Sequence, residues 1–215
     1  AMCEGLVGSE MCIRDRFHLF THAFFKALLF LGAGSVIHSF QNEQDIKNMG
    51  GVWRKLPFTY LMMIIGTLAL TGFPFLSGFY SKDAIIEFAY LEKGSLSNYA
   101  AAIGIITAIF TSIYSWRLIF LTFHGSFNNN KLNIKDLHES PLVMLIPLVL
   151  LSIGALFSGI FFKEIFIGAE SSQLFWKDSI MFLEPLSKDH PPLWFLSLTP
   201  SFVIMSIPFL SLIHI

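Results

Sequence analysis

The chain has 215 residues and a formal net charge of −1, and only 13% of its residues are charged while 54% are hydrophobic. Soluble domains carry about a quarter charged residues, so this composition leaves too little polar surface to cover a water-soluble fold. The net charge of −1 gives no indication of a nucleic-acid partner, and we expect none. The 24 Phe residues suit helix surfaces that face lipid. The composition therefore predicts an integral membrane protein surrounded by a lipid bilayer.

The two ends of the chain differ in character from the rest. Residues 1–16 read AMCEGLVGSEMCIRDR, a polar stretch that joins an apolar segment without a linker and resembles translated sequencing adapter. The closing SLIHI at residues 211–215 resembles the matching artefact. We therefore expect both ends to be non-native and the native part to run over residues 17–210. A signal peptide is the alternative for the leader, but its basic residues follow the apolar stretch instead of preceding it.

Five apolar segments approach the length that a membrane span requires, which is about 20 residues for a bilayer core of about 30 Å. They are residues 17–40, 56–91, 98–124, 141–162 and 193–210. The pattern predicts an all-α, polytopic transmembrane helix bundle, with an extramembrane loop at 163–192. The short loops at 41–55 and 125–140 hold more Lys and Arg than the short loop on the opposite side, which predicts that they face the cytoplasm.

The second span is too long to be one straight helix. A continuous helix over residues 56–91 would extend about 54 Å, well beyond the bilayer core. Its middle reads TGFPFLSG, residues 71–78, with two glycines and a proline that interrupt helices. We predict one discontinuous helix with an irregular centre. Such backbone survives at membrane depth only inside protein or beside a wet cavity, and broken helices mark ion sites in transporters.

The first span carries His18, His22 and Lys26 at spacings of four residues, so the three side chains share one helix face. Imidazole exchanges protons near neutral pH, and an ammonium in a low-dielectric medium gives up its proton more readily than in water. Charged groups within membranes are costly and usually functional, which favours proton transfer. Two structural interpretations stay open: Lys26 reaching toward the headgroups, and histidines that only pack.

A second candidate site, Lys82 and Asp83, follows the break directly. Glu87 lies one turn after Asp83, so the two carboxyl groups share a face and could share a proton. The alternative is that Lys82 and Asp83 only cap the second half-helix near the membrane surface. Arg117 in the third span is a secondary candidate, because an arginine there can also reach the headgroups.

Several motifs of redox and nucleotide chemistry are missing from the sequence. There is no phosphate-binding glycine loop, no dinucleotide-binding glycine pattern and no cysteine cluster for iron–sulfur. We therefore expect no catalytic redox centre, no bound cofactor and no metal site in this chain.

Four segments together resemble one family. FHLFTHAFFKALLFLGAG (residues 17–34) resembles the lysine-bearing helix of the antiporter-like subunits of respiratory complex I, the NADH–quinone oxidoreductase. GFPFLSGFYSKDAII (residues 72–86) resembles the broken helix and Lys-Asp pair of the subunit L branch. YSWRLIFLTFHG and HESP, at residues 114–125 and 138–141, continue the resemblance.

The resemblance implies a proton-translocating membrane subunit of the NADH–quinone oxidoreductase. It makes Lys26 the central lysine, places His18 and His22 along a water file, and makes Lys82 with Asp83 the exit-side proton donor. Residues 17–162 would be the C-terminal part of an antiporter-like domain built as an inverted repeat. The expected partners are other membrane-arm subunits, which would hold FMN, iron–sulfur clusters and quinone. The expected location is a bacterial inner membrane, or a mitochondrial inner membrane for an organellar protein.

Two other functions remain as alternatives. The large subunit of a Mrp-type sodium/proton antiporter shares the same use of lysines, although the Lys82-Asp83 pair favours the oxidoreductase. A passive scaffold, whose charges only hold helices together, is the third possibility. The depth of Lys26 argues against a scaffold, because an ionisable group at that depth is costly without a function.

Overall fold

The computed structural model describes residues 8–91, 95–129, 133–134, 136–168 and 171–177. These segments contain six α-helices: α1 (Gly8–Ser39), α2 (Pro57–Thr71), α3 (Ser77–Leu91), α4 (Ser95–Ile119), α5 (Leu142–Ile167) and α6 (Ser171–Trp176). A short 3₁₀ helix covers Ile46–Asn48, and a π-helix over Phe120–His124 continues α4. The prediction of an all-α fold is confirmed for these residues, none of which forms a strand.

Helices α2 and α3 together run antiparallel to α1. Near the start of α1, Arg14 donates a hydrogen bond to the carbonyl oxygen of Ala84 on α3 at 3.4 Å. Near the end of α1, the Ser35 hydroxyl lies 2.9 Å from that of Thr59, at the start of α2. The two helices are therefore the halves of one interrupted element, and the predicted discontinuous helix is confirmed.

The break between α2 and α3 has a local cause in its glycine and proline. Gly72 adopts a left-handed conformation with φ of 85°, which an L side chain rarely adopts. The N–H of Phe73 then donates to the carbonyl oxygen of Leu68 at 3.0 Å, the bond that ends a helix in a Schellman motif. Pro74 has no N–H to continue the helical ladder.

The other two long helices pack on different sides of this interrupted element. Helix α5 is antiparallel to α1. The ring centroid of Phe166, near the end of α5, lies 5.4 Å from that of Phe17, near the start of α1. Ser140, just before the start of α5, contacts Ser35, near the end of α1. Helix α4 packs against α2 and α3, with Gly104 beside Ile86. Ser77 and Gly78, which follow the break, are buried against α5 and α1, whereas Phe75 within the break has an exposed side chain.

Three helices are long and apolar enough to cross a membrane, and they correspond to the predicted first, third and fourth spans. They cover Cys12–Ser39, Leu96–His124 and Leu142–Ile167, while α2 is a shorter apolar helix. Their outer faces carry large exposed apolar side chains such as Phe110, Val143 and Phe161. This arrangement suits a surface covered by lipid or by further membrane helices.

Some helix bounds differ from the predicted ones. Helix α1 begins at Gly8 and not at Phe17, so residues 8–16 continue the helix whatever their origin. Helix α5 continues to Ile167, beyond the predicted end at residue 162, and α6 lies in the segment predicted as a loop. The physical reason is that a formed helix extends cheaply through polar residues. The predicted span at 193–210 and the tail at 211–215 lie outside the described residues.

The predicted loops at 41–55 and 125–140 lie at the same end of the bundle. The backbone N–H of Trp53 donates to the carbonyl oxygen of Phe123 at 3.3 Å, and the Ser39 hydroxyl donates to that of His138 at 2.9 Å. We call this the loop end, formed by residues 40–56 and the described residues of 125–141. Which membrane face it occupies stays a prediction.

Glu139 at the loop end caps the start of α2 from a distant part of the chain. Its carboxylate accepts the N–H groups of Phe58 at 3.2 Å and Thr59 at 3.0 Å, and also the Thr59 hydroxyl. Leu56, the residue at the N-cap position, supplies no side-chain hydrogen bond. A carboxylate at a helix N-terminus also interacts favourably with the helix dipole. The HESP segment therefore has a structural role at this site.

We expect Glu139→Ala to destabilise the loop end by about 1–2 kcal/mol, since a lost N-cap costs that much. Glu139→Gln keeps an acceptor oxygen and should lose less. The midpoint temperature of unfolding of the purified full-length protein measures the effect, with Asp136→Ala, an exposed carboxylate nearby, as the matched control. Equal midpoints for Glu139→Ala and the control would show that the cap contributes nothing.

Candidate functional site

Lys82 closes the break in the discontinuous helix. Its ammonium nitrogen Nζ donates a hydrogen bond of 2.6 Å to the backbone carbonyl oxygen of Thr71, the last residue of α2. A carbonyl at a helix C-terminus lacks a partner within its own helix and carries the negative end of the helix dipole. A lysine is therefore well suited to this position, and the site depends on the helix ending there.

Gly72 makes the close approach of Lys82 possible. A Cβ atom at this position would lie 2.9 Å from Lys82 Nζ and 3.7 Å from a carboxylate oxygen of Asp83. Both carboxylate oxygens of Asp83 are shielded from solvent. The sequence predicted one site that contains both Lys82 and Asp83. In the structure both side chains lie beside the left-handed turn at Gly72.

The stripe on α1 meets this site through a pair of hydroxyl groups. The Ser81 hydroxyl lies 3.0 Å from Nδ1 of His18, and the Thr21 hydroxyl donates to it at 2.7 Å. Both Thr21 and Ser81 are completely buried. Because Ser81 directly precedes Lys82, these contacts join the two predicted sites across the interface between α1 and α3.

His18 and His22 lie between the two lysines in a series of four ionisable groups. The ring centroids of His18 and His22 are 5.7 Å apart. Lys26 lies one helical turn after His22, and Ser81, the residue before Lys82, contacts His18. We call Lys26, His22, His18 and Lys82 the ionisable row. Lys26 at its outer end is exposed, with Nζ 5.4 Å from the ring centroid of Phe30.

The secondary candidates lie at the edge of this site or away from it. Glu87 is half-buried on α3, one turn beyond Asp83. Arg117 is exposed toward the loop end of α4, apart from the ionisable row. His124, the last residue of the π-helix, bonds to the Tyr60 hydroxyl at 2.8 Å. Within the described residues, no group of three or more His, Cys, Asp or Glu side chains is placed to hold a metal ion.

Sequence reasoning missed Thr21 and the carbonyl of Thr71. Thr21 lies three residues after His18, so helical spacing alone could have placed it on the same face of α1. The Thr71 carbonyl had no sequence signal beyond the break itself, because a backbone group becomes a ligand only where the helix ends.

A family profile decides what this fold belongs to. The family described as "NADH:quinone oxidoreductase/Mrp antiporter, TM" matches residues 2–111, which include the ionisable row and the break. The chain belongs to this family. It is therefore an integral membrane protein of the antiporter-like class, and the resemblance that we drew from the Lys26 helix and the broken helix is confirmed.

Individual relatives narrow the comparison within the NADH:quinone oxidoreductase/Mrp antiporter family. The chain is 50% identical over 167 residues to NADH-ubiquinone oxidoreductase chain 5 of Marchantia polymorpha, covering 78% of this chain and 25% of that protein. It is 51% identical over 152 residues to chain 5 of Rhizopus stolonifer, covering 71% of this chain and 23% of the relative. The chain thus spans about a quarter of the length of these curated relatives.

Among solved structures, the Mrp complex from Dietzia sp. DQ12-45-1b is similar in fold. The TM-score is 0.69 at 19% sequence identity, with 94% of this chain and 22% of that chain covered. Similarity at this level of identity shows the shared fold of the family and no more. The helical membrane architecture predicted from the sequence is therefore confirmed independently of the sequence matches.

Proposed function

We propose that the chain forms part of a proton-translocating membrane subunit of an NADH:quinone oxidoreductase. The observation that carries this proposal is the ionisable row, which crosses from α1 to α3 and ends where Lys82 meets the break. Ionisable groups within membrane-spanning helices are costly and usually functional. The 50% identity to relatives named NADH-ubiquinone oxidoreductase chain 5 favours this enzyme complex.

Each member of the row can accept and release a proton. A proton placed on Lys26 by a charge shift in a neighbouring subunit would pass to His22, then to His18, and then through water to Lys82. Lys82 would release it on the exit side. A neutral amine keeps two N–H donors, so the hydrogen bond from Lys82 to the Thr71 carbonyl can persist after the proton leaves.

Electron transfer in this proposal takes place in other subunits. We propose that this chain binds no redox cofactor, and that FMN, iron–sulfur clusters and quinone belong to partner subunits of the same complex. Residues 17–162 would contact neighbouring membrane-arm subunits as the C-terminal part of an antiporter-like domain. The membrane would be a bacterial inner membrane, or a mitochondrial inner membrane for an organellar protein.

A Mrp-type sodium/proton antiporter subunit is the second candidate. The observation in its favour is the similarity of fold to the Mrp complex, at a TM-score of 0.69. The two candidates differ in the energy source, because the oxidoreductase moves protons when NADH is oxidised and the antiporter moves them when a sodium gradient is present.

We expect Lys26→Ala to reduce proton movement to about a tenth of wild type or less, as for loss of a positioned proton carrier. The full-length gene is expressed in a bacterial host that lacks its own copy, and NADH-driven acidification of inverted vesicles is measured. Lys47→Ala, an exposed lysine at the loop end, is the matched control and should acidify like wild type. Native gels verify that each variant assembles.

Two results would contradict the proposal. If NADH causes no acidification in wild type while a sodium gradient drives proton movement, the antiporter function is correct. If Lys26→Ala assembles and acidifies as well as the Lys47→Ala control, the ionisable row does not carry the protons.

A further inference from the structure

The completely buried hydroxyls of Thr21 and Ser81 form a junction between α1 and α3. The Ser81 oxygen has three neighbours: His18 Nδ1 at 3.0 Å, the Thr21 hydroxyl at 2.7 Å and the Ser77 carbonyl oxygen at 3.1 Å. The Thr21 hydroxyl has a second acceptor within reach, the His18 carbonyl oxygen at 3.0 Å. The two hydroxyls therefore have more acceptors within reach than they have hydrogens.

This surplus of acceptors allows two complete hydrogen-bond patterns. A hydroxyl group has one hydrogen to donate and two lone pairs that accept. When Nδ1 of His18 carries a hydrogen, it donates to Ser81, Ser81 donates to the Ser77 carbonyl, and Thr21 donates to the His18 carbonyl. When Nδ1 is bare, Ser81 turns and donates to it, and Thr21 turns and donates to Ser81. Both hydroxyl hydrogens, and the hydrogen on Nδ1 when it is present, have an acceptor in each pattern.

We propose that Thr21 and Ser81 are positioning residues that keep His18 hydrogen-bonded in both of its protonation states. No proton leaves either hydroxyl; only their O–H bonds rotate. His18 can then gain and lose a proton without moving its ring away from Lys82. Thr21 is essential to the pair because it supplies the hydrogen that Ser81 accepts once Ser81 has turned toward Nδ1. This inference rests on the proposed role of the ionisable row.

The surroundings support a positioning role over simple helix packing. Packing alone requires no more than the bonds that each hydroxyl makes to its own helix, from Thr21 to His18 and from Ser81 to Ser77. The additional bonds, from Thr21 to Ser81 and between Ser81 and Nδ1 of His18, cross between the helices and meet at the Ser81 oxygen. The ring of Phe25, with its centroid 6.3 Å from that of His18, borders the imidazole on α1.

The test compares Thr21→Val with Thr21→Ser in the full-length protein within the assembled complex. Valine keeps the shape of threonine without the hydroxyl, whereas serine keeps the hydroxyl and loses a methyl group. We expect Thr21→Val to lower the rate of NADH-driven acidification roughly two- to tenfold, the effect of losing one hydrogen bond. Thr21→Ser should recover most of the wild-type rate. Ser81→Ala should resemble Thr21→Val.

Ser152→Ala is the matched control, because Ser152 is a buried serine on α5 whose hydroxyl donates within its own helix, to the carbonyl oxygen of Val149. If Thr21→Val assembles and acidifies like Ser152→Ala, the inference is overturned. It is also overturned if Thr21→Ser is as slow as Thr21→Val, since volume and not the hydroxyl then matters. If Thr21→Val does not assemble, the acidification rate of Ser81→Ala is compared with that of Ser152→Ala instead, and equal rates overturn the inference.

Lys26→Ala, measured in parallel, separates this inference from the proposed function. Normal acidification by Lys26→Ala would overturn the proton row itself, together with everything that rests on it. Loss of acidification by Lys26→Ala, combined with a normal rate for Thr21→Val, would overturn only the role of the hydroxyl pair.

Discussion

Replacing Lys82 by Arg in the full-length protein is expected to abolish NADH-driven proton movement while leaving the discontinuous helix closed. A guanidinium group can donate to the Thr71 carbonyl as Lys82 does, and it keeps the positive charge at the end of α2. It stays charged in proteins, however, so it cannot release a proton on the exit side. Acidification of inverted vesicles should fall to about a tenth of wild type or less.

The comparison with Lys82→Ala separates the two roles of this residue. Alanine removes both the proton carrier and the hydrogen bond to Thr71, so it should lower acidification and also destabilise the break. Lys163→Arg is the matched control, because Lys163 is an exposed lysine on α5 whose Nζ lies 5.6 Å from the ring centroid of Tyr80. Normal proton movement with Lys82→Arg would mean that Lys82 is only a structural cation at the helix end.

The second large effect is expected at Gly78, in the first turn of α3. A Cβ atom there would overlap the backbone carbonyl oxygen of Ala69 on α2. A backbone atom cannot turn aside as a flexible side chain can, so the two half-helices would have to separate. On the opposite side, a Cβ at Gly159 of α5 would lie 2.5 Å from the Cα of Ser77. The first turn of α3 is therefore tightly packed both against α2, at Ala69, and against α5, at Gly159.

We expect Gly78→Ala to cost about 3 kcal/mol or more, the upper range for overpacking a well-packed interior. A loss of that size should lower the amount of assembled subunit in membranes several-fold. Gly34→Ala is the matched control, since Gly34 also lies in a helix and a Cβ there meets nothing within 4 Å. The control should leave the amount unchanged. Equal amounts for both variants would show that the contact between α2 and α3 is not tight.

The stripe of His18, His22 and Lys26 could be predicted from sequence because helical spacing alone decides which residues share a face. The break was predictable for a similar reason. Gly72 and Pro74 act on the backbone locally, and the bilayer limits how long an uninterrupted helix can be. These features depend on neighbours in the chain and on the thickness of the membrane, both of which are visible without a structure.

The helix ends were less predictable. Polar residues such as Lys163 and Glu164 suggested that α5 ends before them, yet the helix continues to Ile167. Adding a residue to an existing helix gains a hydrogen bond at little cost, so composition alone does not locate the end.

The sequence by itself determined that this protein is a membrane bundle with one interrupted helix. It also determined that ionisable groups lie in two places, on the first span and just after the break. Only the tertiary structure decided how those places are connected. The bond from Thr21 to Ser81 joins residues 60 positions apart, and Glu139 caps the start of α2 at Thr59, 80 positions earlier. Lys82 also finds its partner in a backbone carbonyl that the end of α2 makes available. The physical reason is that helix periodicity is a local property, whereas hydrogen bonds between helices depend on how those helices pack.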